Sequence, residues 1–294
     1  MEVVVDSRRD EVLAWLESIP DFAGGELAIA SADASFRRYF RWTLKGRSYV
    51  VMDAPPDKEP CEPFVKIAEV LLQAGVRVPE ILAQDLDNGF LVLSDFGDLH
   101  YQEAIEGDGR DSLYELALGE ILKLQTGLRE EAKALKDYDE DWVRMELEIF
   151  REWCLPDVPQ EEYGKVTTLL VDTFLEQPRV FVHRDFHCRN LLVLPDGNPG
   201  VIDFQGALHG PITYDPVSLL RDCYVDNAED WITSKALAHK SGLVESGVLP
   251  GELSDEAFLR WFDFTGLQRH LKCIGIFHRL KLRDGKGRQA GLVE

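Results

Sequence analysis

The chain has 294 residues, 45% of them hydrophobic, a length that suits two packed lobes better than one core. Its 53 acidic residues outnumber its 32 lysines and arginines, which gives a formal net charge of −21. Nucleic acids and anionic membrane surfaces require clustered positive charge, so this balance argues against both as partners.

Cysteine usage and the N-terminal sequence predict a cytoplasmic protein. The five cysteines form neither a C-x-x-C pair nor the spacing of a disulfide framework, so we expect reduced thiols. The first residues are charged and do not form an apolar signal core, and no apolar run approaches the length of a membrane span.

The N-terminal third of the chain predicts one small sheet with two helices. Apolar residues from Val12 to Ile19 recur at helical spacing and stop at Pro20, and a second helix begins near Pro63 and ends at Gly75. Five apolar runs bounded by turn residues indicate the strands of an antiparallel sheet: Leu27–Ala30, Arg38–Trp42, Tyr49–Met52, Val78–Leu82 and Phe90–Leu93.

The remainder predicts mostly helix, interrupted by short strands around one polar loop. Val180-Phe181-Val182 indicates a buried strand that enters His183-Arg184-Asp185-Phe186-His187-Cys188-Arg189-Asn190. Leu191–Leu194 then resumes a strand, Asp196-Gly197 turns the chain, and Gly200–Ile202 is a second strand that ends at Asp203. Tyr214-Asp215 opens a further helix.

This loop matches the spacing of a kinase catalytic centre. In that centre an Asp accepts the proton of the substrate hydroxyl, an Asn five residues later binds Mg²⁺, and an Asp beyond a hairpin also binds metal. The corresponding residues are Asp185, Asn190 and Asp203. A polar surface loop is the plainer alternative, but it requires three residue types, two strands and their order to coincide by chance.

Histidines in the loop suggest a second possibility, because His183, His187 and Cys188 could belong to a zinc site. On a loop, however, this spacing does not place both rings on one face as a helix would. We instead expect His183 to hydrogen-bond to backbone near Asp203, and Asp215 to support the backbone of the catalytic loop.

The nucleotide side departs from the kinase pattern in two places. The turn that would cover the ATP phosphates contains no Gly, and Met52 stands where kinases carry a Lys. An ordinary hairpin with exposed arginines is the alternative to a phosphate loop here. Small residues still permit backbone approach and arginines can supply charge, so we assign nucleotide binding to Ser31, Ser35, Phe36, Arg37 and Arg38.

Ser94-Asp95-Phe96-Gly97 contains the DFG tripeptide of protein kinases, but it precedes the catalytic loop and ends a strand. We therefore interpret it as the connection between lobes, with Ser94, Asp95 and Phe96 facing the adenine ring. The fold class predicted is α+β with a bilobal, protein-kinase-like architecture. Residues 1–96 would form a nucleotide-binding lobe with a five-stranded sheet, and residues 97–294 a mostly helical lobe that binds the acceptor and carries the catalytic hairpins.

Several strings carry a family resemblance over roughly residues 27 to 285. Asp33-Ala34-Ser35-Phe36-Arg37-Arg38-Tyr39-Phe40, Val51-Met52-Asp53-Ala54-Pro55-Pro56 and the catalytic loop are similar to the aminoglycoside phosphotransferase superfamily. Gly210-Pro211-Ile212-Thr213-Tyr214-Asp215 and Ser218-Leu219-Leu220-Arg221-Asp222-Cys223-Tyr224 resemble, more narrowly, its bacterial anomeric sugar kinases. Met52 belongs to that narrower pattern too.

The resemblance implies ATP- and Mg²⁺-dependent transfer of a phosphoryl group to the anomeric hydroxyl of N-acetylmuramate, N-acetylglucosamine or both, in cell-wall recycling. We assign the acceptor side to five residues: His187, Arg189, Gln205, Arg221 and Asp222. Arg221 and Asp222 are equally well explained as solvated helix residues in surface ion pairs. Arg189, Arg221 and Arg269 are the candidates for the positive charge that an acidic sugar requires.

Two alternatives remain from the sequence. Another small alcohol, such as an aminoglycoside or choline, could be the acceptor, and the acidic balance of the chain suits a cation. The departures at Met52 and in the phosphate turn would also fit a non-catalytic nucleotide-binding pseudokinase. Either alternative retains the same fold.

Overall fold

The computed structural model describes residues 6–32 and 36–283, with the backbone alone described at residues 31 and 32. The chain divides into two compact units, Met1–Leu72 with Arg77–Gly97, and Gln73–Val76 with Asp98–Glu294. Within the described part, no helix combines the length and apolarity needed to cross a bilayer.

The N-terminal unit is built around one antiparallel sheet, which confirms the predicted fold class. Its strands lie side by side in the order β1-β2-β3-β5-β4. The elements follow along the chain as α1 (Ser7–Ser18), β1 (Glu26–Ala32), β2 (Arg38–Leu44), β3 (Arg47–Asp53), α2 (Glu62–Gln73), β4 (Ile81–Asp85) and β5 (Phe90–Ser94).

Alternation of apolar residues determines which face of this sheet is buried. Phe40, Trp42 and Leu44 of β2 are buried together with Val12 and Leu16 of α1, and burial of each such side chain stabilises the fold by ~1.5–3 kcal/mol. The indole Nε1 of Trp42 donates to the carbonyl of Phe22 at 3.0 Å, so its polar atom is paired inside the core.

Strand β4 begins three residues later than the sequence predicted. Val78 and Pro79 are buried but lie outside the ladder, and pairing starts at Ile81. Proline has no N–H to donate to a neighbouring strand and it restricts the residue before it, so the ladder forms only beyond Pro79.

The C-terminal unit is mostly helical, as predicted, with two small strand pairs. Strand β6 pairs with β9, a strand the sequence analysis missed, and β7 pairs with β8. The elements are α3 (Tyr101–Ala104), α4 (Arg110–Gly127), α5 (Arg129–Ala132), α6 (Glu140–Cys154), α7 (Gln160–Leu175), β6 (Arg179–Val182), β7 (Leu191–Val193), β8 (Pro199–Val201), β9 (Leu208–Pro211), α8 (Tyr214–Leu220), α9 (Glu229–Glu245) and α10 (Asp255–Arg283).

Helix α10 is the longest element and packs closely on α6. A Cβ added at Gly275 would lie 2.7 Å from the Cα and N atoms of Phe150, a separation that real Cβ atoms essentially never show. Glycine at this position therefore lets the two helix backbones approach, and this packing brings the middle of α10 beside the catalytic loop.

Candidate active site

The catalytic loop, residues 183–190, connects β6 to β7, and the segment after β8 returns beside it. The amide N–H of Ile202 donates to the carbonyl of Asn190 at 3.0 Å, which joins the loop to the chain just before Asp203. Arg184 and Asp203 adopt φ angles of 83° and 63°, which non-glycine residues rarely do. Such backbone conformations persist where the surrounding contacts fix them.

Asp215, at the start of α8, fixes the beginning of the loop. Its carboxylate accepts the backbone N–H of His183 at 2.7 Å and that of Arg184 at 2.9 Å, which confirms the supporting role predicted for it. Burial raises the pKa of Asp215 to about 7, although the two N–H donors favour its ionised form. The first turn of α8 is thus tied to the two residues that precede Asp185.

Asp222 supports the later part of the loop in the same way. Its carboxylate accepts the backbone N–H of Cys188 at 2.9 Å and that of Tyr224 at 3.0 Å, and the residue is buried. The sequence analysis assigned Asp222 to the acceptor. In the structure both of its oxygens accept backbone N–H groups and so support the loop, and its role toward an acceptor stays a prediction.

His183 organises the loop as predicted. It is fully buried, and burial lowers its pKa to about 4, so the ring is neutral and its Nε2–H donates to the carbonyl of Ile202 at 3.1 Å. The ring of His187 instead contacts Tyr224 edge-on. Nowhere in the described ranges do three His, Cys, Asp or Glu side chains gather as a metal site, so the zinc alternative has no support there.

Asn190 and Asp203 lie together beside Asp185. The Asn190 Nδ2 donates to the Asp185 backbone carbonyl at 2.9 Å and to an Asp203 carboxylate oxygen at 3.3 Å. Gln205 donates to the other oxygen of Asp203. Since the nitrogen of the Asn190 amide is used within the loop, its oxygen is the atom available to a cation. One amide oxygen and one carboxylate are the hard oxygen ligands that Mg²⁺ prefers.

Asp185 is half-buried and lines a cavity of about 160 Å³ within the C-terminal unit. Burial would raise the pKa of its carboxyl, but the charges of Lys272, Arg184 and Arg269 outweigh that effect and lower it. The group is therefore ionised at neutral pH and able to accept a proton. The cavity is lined by Asp185, His187, Cys223, Tyr224, Arg269, Lys272, Cys273, Ile276 and Phe277.

Glu146 of α6 balances part of the positive charge near the cavity. Its buried carboxylate lies 3.0 Å from the Lys272 Nζ and 3.1 Å from an Arg184 guanidinium nitrogen. Burial opposes ionisation, but the nearby Lys272 charge and the other donors lower the pKa of Glu146 below its ordinary value. The neutral donors to this carboxylate are Tyr138, Trp142 and Gln268.

The other acceptor candidates lie apart from this lining. Arg189 is exposed, stacks on the Tyr224 ring and donates to Gln102. Arg221 forms ion pairs with Glu229 and Asp263, as the alternative interpretation of that residue proposed. Their roles toward an acceptor, like that of Gln205, stay predictions.

The nucleotide candidates lie in the N-terminal unit. Arg38 is bound to the buried carboxylate of Asp53, which faces it across the β2–β3 ladder, and also to Asp6. Arg37 pairs with Glu59 at a longer 3.5 Å. Met52 is buried in β3.

Two candidates of the phosphate turn cannot be placed in full. Ser35 lies outside the described residues, and of Ser31 only the backbone, in β1, is described. Phe36 is largely exposed.

The predicted lobe connection follows β5. The Ser94 side-chain oxygen accepts the backbone N–H of Glu80 at 2.9 Å, and Asp95 pairs with Arg41 at 2.8 Å. Phe96 is half-buried. These contacts are local to the N-terminal unit and leave the predicted role of Ser94, Asp95 and Phe96 toward adenine as a prediction.

Sequence analysis named Arg269 as a candidate but missed the rest of the cluster on α10. Arg269, Lys272, Cys273 and Ile276 all line the cavity, and Lys272 and Cys273 were not assigned to the site. The available signal was their spacing, because residues at i, i+3, i+4 and i+7 lie on one face of a helix. Nothing in that spacing indicated that the face would reach Asp185.

Comparisons with known proteins identify relatives of the chain and of its fold. The N-acetylmuramate/N-acetylglucosamine kinase of Pseudomonas aeruginosa is 46% identical, over 98% of this chain and 89% of its own length.

Two of the solved structures that share the fold at low identity illustrate it. The Plasmodium vivax ethanolamine kinase has a TM-score of 0.65 and 11% identity over 98% of this chain and 85% of that one. A thermostable mutant of aminoglycoside phosphotransferase APH(4)-Ia, in a ternary complex with AMP-PNP and hygromycin B, has a TM-score of 0.57 and 15% identity over 95% and 94%.

The family model described as the phosphotransferase enzyme family matches residues 26–240. This range contains the sheet of the N-terminal unit, the catalytic loop and both of its supporting carboxylates. The chain therefore belongs to the phosphotransferase enzyme family.

Proposed function

We propose that the protein transfers the γ-phosphoryl group of ATP to the anomeric hydroxyl of N-acetylmuramate, N-acetylglucosamine or both. The observation that carries the proposal is the half-buried carboxylate of Asp185, which lines a small cavity together with Arg269 and Lys272 and is followed by the adjacent Asn190 and Asp203. A relative 46% identical over nearly the whole chain carries the name of that activity. We place the reaction in the cytoplasm, where ATP is available and the five free thiols stay reduced.

In the proposed reaction Asp185 accepts the proton of the anomeric hydroxyl while the sugar oxygen forms a bond to the γ-phosphorus. The bond between that phosphorus and the oxygen bridging to the β-phosphate breaks, and the products are ADP and a sugar 1-phosphate. A hemiacetal hydroxyl is more acidic than a simple alcohol, so a carboxylate of lowered pKa is a sufficient base when the geometry is favourable.

Asn190 and Asp203 would hold Mg²⁺ through the amide oxygen and the carboxylate. The cation supplies neutralisation of the charge on the transferred phosphoryl group. Asp215, Asp222 and His183 keep the loop backbone in place. The side chains of Asp185, Asn190 and Asp203 would therefore need no reorganisation during the reaction. On the nucleotide side we propose Arg37 and Arg38 as phosphate contacts, and Ser94, Asp95 and Phe96 beside adenine.

The cavity argues against a cationic acceptor. Arg269 and Lys272 both line it, and among the residues of the described lining Asp185 is the only carboxylate. Glu146 balances Lys272, but a quaternary amine or an aminoglycoside would be repelled by the Arg269 charge, whereas a neutral or acidic sugar would not.

The test is phosphoryl transfer by the purified protein with Mg-ATP, measured as ADP release across a panel of acceptors. We expect turnover with N-acetylglucosamine or N-acetylmuramate, and none with choline or an aminoglycoside. Asp185→Asn should abolish turnover while binding of a fluorescent ATP analogue is retained. A wild-type protein that binds Mg-ATP but phosphorylates none of these acceptors would contradict the proposal.

A further inference from the structure

Arg269 is a buried cation for which the protein supplies no full set of acceptors. The residue lies in the middle of α10, only 3% of it is exposed, and its Nη1 atom has no hydrogen-bond partner among the residues that the structure describes. A buried guanidinium nitrogen without an acceptor loses its hydration and gains nothing in return. Such an atom is best explained by a ligand that brings its own oxygen.

Its neighbour Lys272 has a different environment. The Lys272 Nζ lies 3.0 Å from Glu146 and 3.4 Å from the Tyr214 hydroxyl, so the protein itself balances that charge. Of these two cations in the cavity lining, Arg269 is the one whose nitrogen remains without a partner. Of the two, Arg269 is therefore the cation with a nitrogen still available to an acceptor from a ligand.

The lining also indicates which part of the reaction Arg269 faces. It includes the base, Asp185, but neither Asn190 nor Asp203, the two residues that would hold the metal and the phosphates. Arg269 thus belongs to the acceptor side of Asp185. N-acetylmuramate differs from N-acetylglucosamine by an ether-linked lactyl group that ends in a carboxylate, and a guanidinium binds a carboxylate through two parallel hydrogen bonds.

We propose that Arg269 binds the carboxylate of an acidic amino sugar acceptor and determines how strongly the protein prefers the acidic sugar to its neutral counterpart. This inference rests on the proposed function. It selects one of the three arginines that the sequence left equivalent, because Arg221 is ion-paired elsewhere and Arg189 is exposed and stacked on Tyr224.

The test compares kcat/KM for N-acetylmuramate and N-acetylglucosamine in the wild type, Arg269→Gln and Arg269→Lys. We expect Arg269→Gln to lower the value for N-acetylmuramate about 10- to 100-fold, as expected for a lost charge-assisted hydrogen bond, and that for N-acetylglucosamine less than about threefold. Arg269→Lys should restore part of the preference. Arg260→Gln is the matched control, since Arg260 lies on the same helix in an exposed pair with Glu176 and should leave the ratio unchanged.

Equal losses for both sugars in Arg269→Gln would overturn the inference and leave the proposed function intact. Failure of the wild type to phosphorylate either sugar would instead overturn the proposed function and this inference with it. If Arg269→Gln does not fold, the wild type is compared on N-acetylmuramate and its neutral primary amide. A kcat/KM at least about tenfold lower for the amide supports the role of Arg269, and equal values contradict it.

Discussion

Asn190 donates a 3.3 Å hydrogen bond to the carboxylate of Asp203, and this contact joins the catalytic loop to the segment that follows β8. The bond uses the amide nitrogen of Asn190, so the amide oxygen remains available close to the Asp203 carboxylate. An amide oxygen beside a carboxylate would suit the Mg²⁺ of the proposed reaction, because this hard dication prefers oxygen ligands.

The first prediction concerns this pair. Asp203→Asn should lower kcat by about 10³-fold, because a neutral amide cannot hold the cation or offset phosphate charge. Asn190→Ala should raise the Mg²⁺ concentration that gives half-maximal rate by about tenfold or more. The measurement is initial rate against Mg²⁺ at saturating ATP. Asn198→Ala, in the turn between β7 and β8, is the control, and an unchanged Mg²⁺ requirement in Asn190→Ala would remove that residue from the metal site.

The second prediction concerns Asp215. Asp215→Asn places an NH₂ group against one of two backbone N–H donors, so one buried donor loses its acceptor at a cost of about 1–3 kcal/mol. We expect a lower melting temperature and a kcat reduced about 10- to 100-fold, because the loop that carries Asp185 is no longer fixed. Calorimetry and steady-state kinetics measure the two effects. Asp226→Asn, at an exposed position, is the control and should change neither the melting temperature nor kcat. Wild-type activity in Asp215→Asn would show that the loop does not depend on Asp215 for its position.

The third prediction is a pH dependence of stability that arises from His239. The residue is buried against Gln125, and burial lowers its pKa from 6.5 to about 4. Between these values the unfolded chain binds the proton and the folded chain does not, so stability is lost as pH falls from about 6.5 to 4, by up to about 3 kcal/mol. The free energy of unfolding, measured with denaturant at each pH across this range, should fall less steeply with decreasing pH in His239→Gln than in the wild type. Identical slopes would contradict the account.

The fourth prediction uses Cys273 as a reporter of the cavity. A hydrogen bond from the Cys223 thiol, together with the charges of Arg269 and Lys272, lowers the pKa of Cys273 despite its burial. Burial raises the pKa of Cys61, Cys154 and Cys188. Iodoacetamide at neutral pH should therefore label Cys273 first, and a bound amino sugar should slow the labelling. Peptide mass spectrometry measures the order in which the cysteines are labelled. Faster labelling of Cys154, or no protection by the sugar, would count against this description of the cavity.

The parts of the fold that follow from local sequence were predictable. Alternation in β2 and the helical spacing of α1 and α2 determine those elements nearly by themselves, and Pro79 explains why β4 starts three residues later than predicted. Strand β9 is different. It is short, it ends at Pro211, and it forms because β6 lies opposite it, which local propensity does not encode.

The candidate site likewise contains residues that local sequence identifies and residues that it does not. Asp185, Asn190 and Asp203 could be identified because one loop and one hairpin carry all three at a characteristic spacing. Arg269 and Lys272 come from a distant helix whose approach depends on packing at Gly275. Arg221 and Arg269 look equivalent as sequence, since a counter-ion such as Glu229 becomes visible only in three dimensions.

The most direct measurement of the central claim is phosphorus NMR of the product formed from Mg-ATP and N-acetylglucosamine. The account predicts a sugar phosphate whose phosphorus couples to the anomeric proton, formed by the wild type and absent with Asp185→Asn. Phosphate on any other sugar oxygen, or release of inorganic phosphate alone, would contradict it.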